Sequence, residues 1–248
     1  MGEFKSLSSY EIFSREVARQ RRYVRTSEAE EFLRAVASTC KPRLQLVRKG
    51  MPLWRAQLPS HFEETTDDPL PPCRMKPKRE RAFEGRVNPK GIPCLYLSTT
   101  ANAAMSEVRP WIGSLVSVAQ FETVRPLTIV DCAISHDQYF NLLLDWPVSP
   151  DKIDEIVWAE IDRAFAEPVT RTDDTAEYAA TQTLAELFRN EGYDGVAYKS
   201  AFGEDGYSVA LFDLDSARQL DGALFKTRSV EFTFEASGNP YFITGKPD

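Results

Sequence analysis

The sequence predicts an α+β fold: a mixed sheet core with flanking helices and a helical N-terminal extension. Three observations predict it. Short strand-like runs such as Cys94–Ser98 and Gly195–Lys199 are interspersed with longer segments of helical period. Strands and helices do not alternate strictly, which disfavours a parallel βαβ architecture. Apolar residues make up 42% of the 248 positions, enough for a sizeable core.

Residues 9–39 read as two helices, the second starting at Ser27 with Glu30 three positions on, a capping-box pattern. Leu44–Val47 and Leu53–Gln57 read as short strands around a turn at Lys49–Gly50. Residues 59–93 are rich in proline and charge and show no clear period; loops of that length commonly carry function. Cys94–Ser98 is a strand, and Thr99 or Thr100 caps a helix that runs through Glu107 and stops near Pro110. Ser114–Phe121 and Leu127–Val130 read as strands. His136–Leu144, Asp151–Phe165 and Thr175–Asn190 read as helices, the last closed by Glu191–Gly192. Gly195–Lys199 and Tyr207–Phe212 are strands joined by the turn Gly203–Gly206, and residues 220–235 form a closing strand or hairpin. The chain thus divides into a helical extension (1–45), a main domain (46–235) and a tail (236–248).

The net charge is −7 and the isoelectric point near 5.1, which disfavours direct binding of nucleic acid. Residues 1–90 hold 19 Lys/Arg against 12 Asp/Glu, a net +7, whereas residues 91–248 hold 11 against 25, a net −14. A cationic front half suits an anionic ligand or an acidic partner, or it pairs with the acidic remainder. No apolar run approaches the ~18 residues of a membrane span. The N-terminus lacks the apolar stretch of a signal peptide, so the expected location is cytoplasmic, without membrane association. Cysteines at 40, 73, 94 and 132 form no CxxC pair, and His61 and His136 stand far apart, so no metal site is expected.

Several chemistries lose their usual support. The chain has no GxGxxG after a strand, no GxxxxGK[ST], no GxSxG and no HExxH. What remains is a set of arginines, tyrosines, carboxylates and hydroxyls near strand ends. The densest stretch is Gly85–Ser98, followed by Ala103–Trp111; Arg86, Tyr96 and Glu107 fall 10 and 11 residues apart in it. Arg55 sits on an upstream strand and Ser200 at a downstream strand end. Taken singly, each has an ordinary reading: a solvated helix glutamate, surface arginines, a core tyrosine, a turn serine. Trp54 and Trp111 read as packing residues, Asp194 and Tyr198 as structural ones, and Gln182 as part of a helix with a core face and a solvated face.

Together these segments resemble the RES-domain family, the toxins of RES–Xre toxin–antitoxin modules, named for an arginine, a glutamate and a serine. LWRAQ, GRVNPKGIPCLYLS, AAMSEVRPWIG and ELFRNEGYDGVAYKSAFGEDGYSVALFD carry the resemblance, over about residues 50–215. It implies a fold like that of ADP-ribosyltransferases and an enzyme that degrades NAD+, its substrate, without Rossmann glycines. It implies Arg55, Glu107 and Ser200 as catalytic residues, and Arg86, Tyr96 and Asn88 as residues that bind the dinucleotide. Inorganic phosphate, water or a protein side chain is the implied acceptor, and an Xre-like antitoxin the implied partner. A second copy of the chain is a further candidate partner. Residues 1–45 and the basic 59–84 insert depart from compact family members, and the extension is a candidate for self-restraint.

Those residue types suit that reaction. Breaking the nicotinamide–ribose bond builds positive charge on the ribose, as in glycoside cleavage. Nicotinamide leaves as a neutral ring, so the demand is a carboxylate rather than a general acid, and Glu107 is the candidate. Arginine's planar fork matches the two phosphates, which makes Arg55 and Arg86 candidates there. Tyr96 can stack on or bond near the nicotinamide, and Ser200 can bond the ribose or carboxamide and place Glu107.

Overall fold

The computed structural model describes residues 3–59, 68–134, 149, 152–167, 175–202, 206–231 and 233. Its strands are β1 (Leu44–Val47), β2 (Pro52–Gln57), β3 (Leu95–Ser98), β4 (Leu115–Thr123), β5 (Leu127–Asp131), β6 (Gly195–Lys199), β7 (Tyr207–Leu211), β8 (Ala217–Gln219) and β9 (Ala223–Lys226). Its helices are α1 (Ser9–Arg19), α2 (Ser27–Thr39), α3 (Ala101–Glu107), α4 (Ile153–Ala166) and α5 (Ala179–Asn190). The expected helix His136–Leu144, most of the turn Gly203–Gly206 and the tail 236–248 lie outside the described residues.

The fold is α+β, as the sequence predicts. The strands form one mixed sheet in the order β1-β5-β6-β7-β3-β2-β4-β8, with β9 also against β4. Only β5 and β6 run parallel; the other pairs are antiparallel. The strands flanking Lys49–Gly50 do not pair with each other: β1 pairs with β5, and β2 with β4 and β3. Between β2 and β3 a single residue pair, Trp54 opposite Ser98, makes the join. The other ladders of the sheet run three residues or more, so this is its shortest join.

Alternation along the strands sends one set of side chains to each face. Val130, Val196, Tyr198 and Ala210 point into a cluster with Trp158, Phe165 and Phe188 of the helices. Leu53, Leu95, Leu97, Phe121, Val209 and Leu211 line the opposite face, where Met75 from the insert is wholly buried against them. A third cluster seats α3 on β2 and β4 through Ala104, Met105, Trp54, Ala56 and Val118.

Helices α1 and α2 join the first of these clusters. Phe13, Val17, Phe32, Leu33 and Val36 are buried in it together with residues of α4 and α5. Trp158 Nε1 donates to Thr39 Oγ1 at 2.9 Å, and Arg43 stacks 4.4 Å from the Trp158 ring. The start of α2 differs from the capping box expected at Ser27. Thr26 is the cap, its hydroxyl accepting from Ala29 N at 3.2 Å. The reason is tertiary: the buried Glu16 carboxylate accepts from both Thr26 N (3.0 Å) and Thr26 Oγ1 (2.7 Å), which fixes Thr26 in the extended conformation a cap requires. Trp111, expected to pack, is 68% exposed. No helix among the described residues is long and apolar enough to cross a membrane.

Candidate functional site

Glu107 is the last residue of α3, a helix capped by Thr100, whose hydroxyl accepts from Ala103 N at 3.1 Å. The chain turns away at once through Arg109, which adopts a left-handed conformation (φ 47°) and lays its guanidinium 4.6 Å from the Phe202 ring. Ala103 and Ala104 press the helix onto the sheet, and Gly206 allows the approach: a Cβ there would stand 2.3 Å from the Ala103 Cβ. The result brings Glu107 to the ends of β6 and β7. Its Oε1 accepts from Ser200 Oγ at 2.7 Å and from Ser208 Oγ at 3.1 Å. Ser200 Oγ accepts in turn from Phe202 N at 3.2 Å, and both serines are buried.

Arg86 is offered from a tightly held loop. Gly85 and Asn88 exchange backbone hydrogen bonds (3.0 and 3.3 Å). Asn88 is buried; its amide donates to the carbonyls of Phe83, Pro89 and Ile92, and its Oδ1 accepts from the Tyr96 hydroxyl at 2.6 Å. The same hydroxyl accepts from Val87 N at 3.1 Å. Position 85 must be glycine, since a Cβ would sit 2.7 Å from that hydroxyl oxygen. Burial raises the Tyr96 pKa well above its ordinary value, so the phenol stays protonated and keeps donating. The Arg86 guanidinium donates to the carbonyl of Phe165 in the last turn of α4 and lies 5.2 Å from the Tyr198 ring, a cation–π distance.

Arg55 occupies the place where β2 and β3 part. Its Nη1 donates to the Tyr96 carbonyl at 2.8 Å, and its Nε is buried with no hydrogen-bond partner among the described residues. Burial lowers its pKa to about 10, so it remains a cation at neutral pH. Buried thiols nearby are poor nucleophiles: burial pushes Cys94 up to about 11.

The six predicted site residues fall into separate sets of contacts: Glu107 with Ser200 at the ends of β6 and β7, and Arg55, Tyr96 and Asn88 around β3, with Arg86 on the adjoining loop. Glu107 and Ser200 are in direct contact; Tyr96 joins Asn88, and its carbonyl meets Arg55. Burial raises the Tyr198 pKa above its ordinary value, with the Arg86 charge opposing that shift and the Glu107 charge adding to it. Tyr96 and Asn88 direct their polar atoms at the loop itself.

Three residues are not read from the sequence as part of the site; there Tyr198 reads as structural and Gln182 as part of a helix with a core face and a solvated face. Ser208 is the one buried hydroxyl in the run Tyr207–Leu211, and a polar residue among the buried positions of a strand was its only signal. Tyr198 is its cross-strand partner. Gln182 on α5 is buried, and its Nε2 donates to both Gly85 O (2.9 Å) and Asn88 O (3.1 Å), closing the loop from the helix side. Asp194 is structural, as expected: it accepts from Thr128 N at 2.7 Å and pairs with Arg125 at 2.6 Å. Gln182→Leu keeps the volume and removes both bonds. It is expected to lower the stability of the fold by about 1–3 kcal/mol, to be checked by urea unfolding.

Among the described residues no group of three or more His, Cys, Asp or Glu side chains is placed to hold a metal ion. Comparison with curated proteins gives no match. Among solved structures, a chain of the crystal structure of the M. tuberculosis MbcT–MbcA toxin–antitoxin complex aligns with 77% of this chain and 92% of its own length, at 14% identity and a TM-score of 0.40. The family model described as RES domain matches residues 52–235, a span that holds Arg55, Arg86, Tyr96, Glu107 and Ser200. The chain belongs to the RES domain family.

Proposed function

We propose that this protein degrades NAD+ by cleaving the nicotinamide–ribose bond, and that it acts as the toxin of a toxin–antitoxin pair. The observation that supports it most is Glu107, held through one oxygen by two buried serine hydroxyls. Both bonds go to Oε1, and among the described residues none engages Oε2, which this reading gives to the substrate. A carboxylate fixed in this way meets the cationic ribose of the transition state without having to reorganise. At ~4 Å and an effective dielectric of ~20 the attraction is worth about 4 kcal/mol, or roughly a thousandfold in rate.

The arginines take the anionic part of the substrate in this reading. Arg86 presents its guanidinium from a rigid loop, so little freedom is lost on binding. The Arg55 Nε, buried and without a hydrogen-bond partner among the described residues, offers a donor whose desolvation a phosphate or ribose oxygen would offset. Tyr96 and Asn88 contribute by shaping the Arg86 loop rather than by touching nicotinamide, because their polar atoms are engaged there. The acceptor is inorganic phosphate or water, and an antitoxin covering the site would restrain it in the cell.

Arg86→Ala is expected to weaken NAD+ binding about tenfold or more, on the scale of a lost charge-assisted bond, with kcat changed less. Calorimetric titration and steady-state kinetics check it. The reading as a whole is tested by incubating the purified protein with NAD+, with and without phosphate, and weighing the products. Free nicotinamide with ADP-ribose 1″-phosphate or ADP-ribose supports it and names the acceptor. Intact NAD+ after prolonged incubation with folded protein refutes it.

A further inference from the structure

Arg109 follows Glu107 by two residues and holds a left-handed backbone conformation (φ 47°). Among the described residues the other left-handed positions, Gly50, Gly91, Gly113 and Gly192, are all glycine. A side chain in this region crowds its own backbone, and glycine would carry none of that strain. Such strain persists where the surrounding structure holds it in place. Two contacts hold it here. Arg109 N donates to the Ser106 carbonyl at 3.0 Å, and the guanidinium lies 4.6 Å from the centre of the Phe202 ring.

Phe202 leads back to the site. Its N–H donates to Ser200 Oγ at 3.2 Å, and Ser200 Oγ donates to Glu107 Oε1 at 2.7 Å. Arg109 thus reaches Glu107 along the backbone on one side and through Phe202 and Ser200 on the other. We propose that Arg109 is a positioning residue: by clamping the Phe202 ring it keeps the Phe202 N–H on Ser200, and thereby Ser200 on Glu107. The proposal rests on the reading of Glu107 as the ribose-facing carboxylate.

The direction of each bond follows from what the groups can give. An ionised carboxylate only accepts, so the Ser200 proton goes to Glu107. The Ser200 oxygen then accepts from the Phe202 N–H, which polarises the hydroxyl toward the carboxylate. Ser200 itself is tied to the end of the sheet, since its N–H donates to the Gly206 carbonyl at 3.0 Å. Phe202 lies just beyond that tie and is only half-buried, so the seat of its ring decides where its N–H points. A planar, permanently charged guanidinium suits that seat on the open side of the ring. Glycine at position 109 would relax the turn and lose the clamp.

That opposition gives the test. Arg109→Gly and Arg109→Ala are both expected to lower kcat about three- to tenfold, on the scale of a lost cation–π contact and the bond it steadies, with the KM for NAD+ nearly unchanged. Arg109→Gly should melt higher than Arg109→Ala, because alanine keeps the backbone strain that glycine removes. A merely structural role would make activity follow stability; here the more stable variant stays as slow. Arg109→Lys, which returns a cation to the ring, should recover part of the loss. Phe202→Leu should match Arg109→Ala, and the double variant should be no worse than either, because both remove the same support. In a Ser200→Ala background, Arg109→Ala should cost nothing further. Fully additive losses overturn the shared path, and a raised KM with kcat intact would make Arg109 a substrate-binding residue instead.

A second measurement does not depend on turnover. In protein labelled with 13C at the glutamate carboxyls, the Glu107 resonance is the one missing from Glu107→Gln. It should move in Arg109→Ala and in Phe202→Leu alike; movement in Arg109→Ala alone would be a direct effect of the lost charge and would overturn the clamp. If the resonance moves in both but wild-type protein leaves NAD+ intact, the clamp stands and the proposed reaction falls. If NAD+ is consumed while both variants keep wild-type kcat and an unmoved resonance, the clamp is overturned. Should Phe202→Leu fail to fold, the comparison of Arg109→Gly, Arg109→Ala and Arg109→Lys, at an exposed side chain, decides on its own.

Discussion

Replacing Glu107 by glutamine should cut NAD+ turnover by about a hundredfold or more, the cost of one preorganised electrostatic stabiliser, while NAD+ affinity changes little. The substitution keeps the size of the side chain and lets its carbonyl oxygen go on accepting from Ser200 and Ser208. Only the charge is lost. A charge that matters more against the ribose cation than against the bound ground state shows in kcat and not in binding. Steady-state kinetics and calorimetric titration on the same preparation separate the two. Near wild-type turnover, or a loss confined to affinity, would remove Glu107 from the role of transition-state carboxylate.

Deleting residues 1–40 should abolish the cooperative fold rather than release activity. The segment supplies Phe13, Val17, Phe32, Leu33 and Val36 to the cluster that also holds Trp158 and Phe188. Each buried side chain of this size contributes about 1.5–3 kcal/mol, so five approach the total stability of an ordinary domain, about 5–15 kcal/mol. The remainder would expose the apolar faces of α4 and α5. Circular dichroism and thermal unfolding of the truncated protein check this. A soluble truncation that melts cooperatively and turns over NAD+ faster would show instead that the extension restrains the enzyme.

This second expectation departs from what composition suggested. From the sequence, residues 1–45 read as a helical extension of the main domain. Packing makes them a wall of the main core, since an amphipathic helix shows that it has a buried face but not which surface it meets. The same limit explains the cap of α2: Ser27 and Glu30 match a local pattern, yet Thr26 wins because Glu16, ten residues earlier and on another helix, reaches it. Trp111 reads as core by its chemistry and is exposed by its place in the turn between α3 and β4.

Local chemistry by itself determined the mixed α+β character, the strand at Leu95–Ser98, the short helix that delivers Glu107, and the C-terminal cap of α5 at Gly192. These depend on period, turn residues and caps, all within a few positions of one another. The resemblance of its motifs to the RES-domain family also named Arg55, Arg86, Tyr96, Glu107 and Ser200 as one set. What only the tertiary structure decided is which of them meet and through what. Ser208, Tyr198 and Gln182 sit inside elements whose apolar pattern would be satisfied by many other residues, so nothing local marks them. They enter the site because β6 and β7 pair in one register, because Gly206 lets α3 come down on the sheet, and because α5 lies where its buried amide reaches the Gly85–Asn88 loop. Register and close approach are properties of pairs of elements far apart in the chain, and a single sequence carries no direct trace of them.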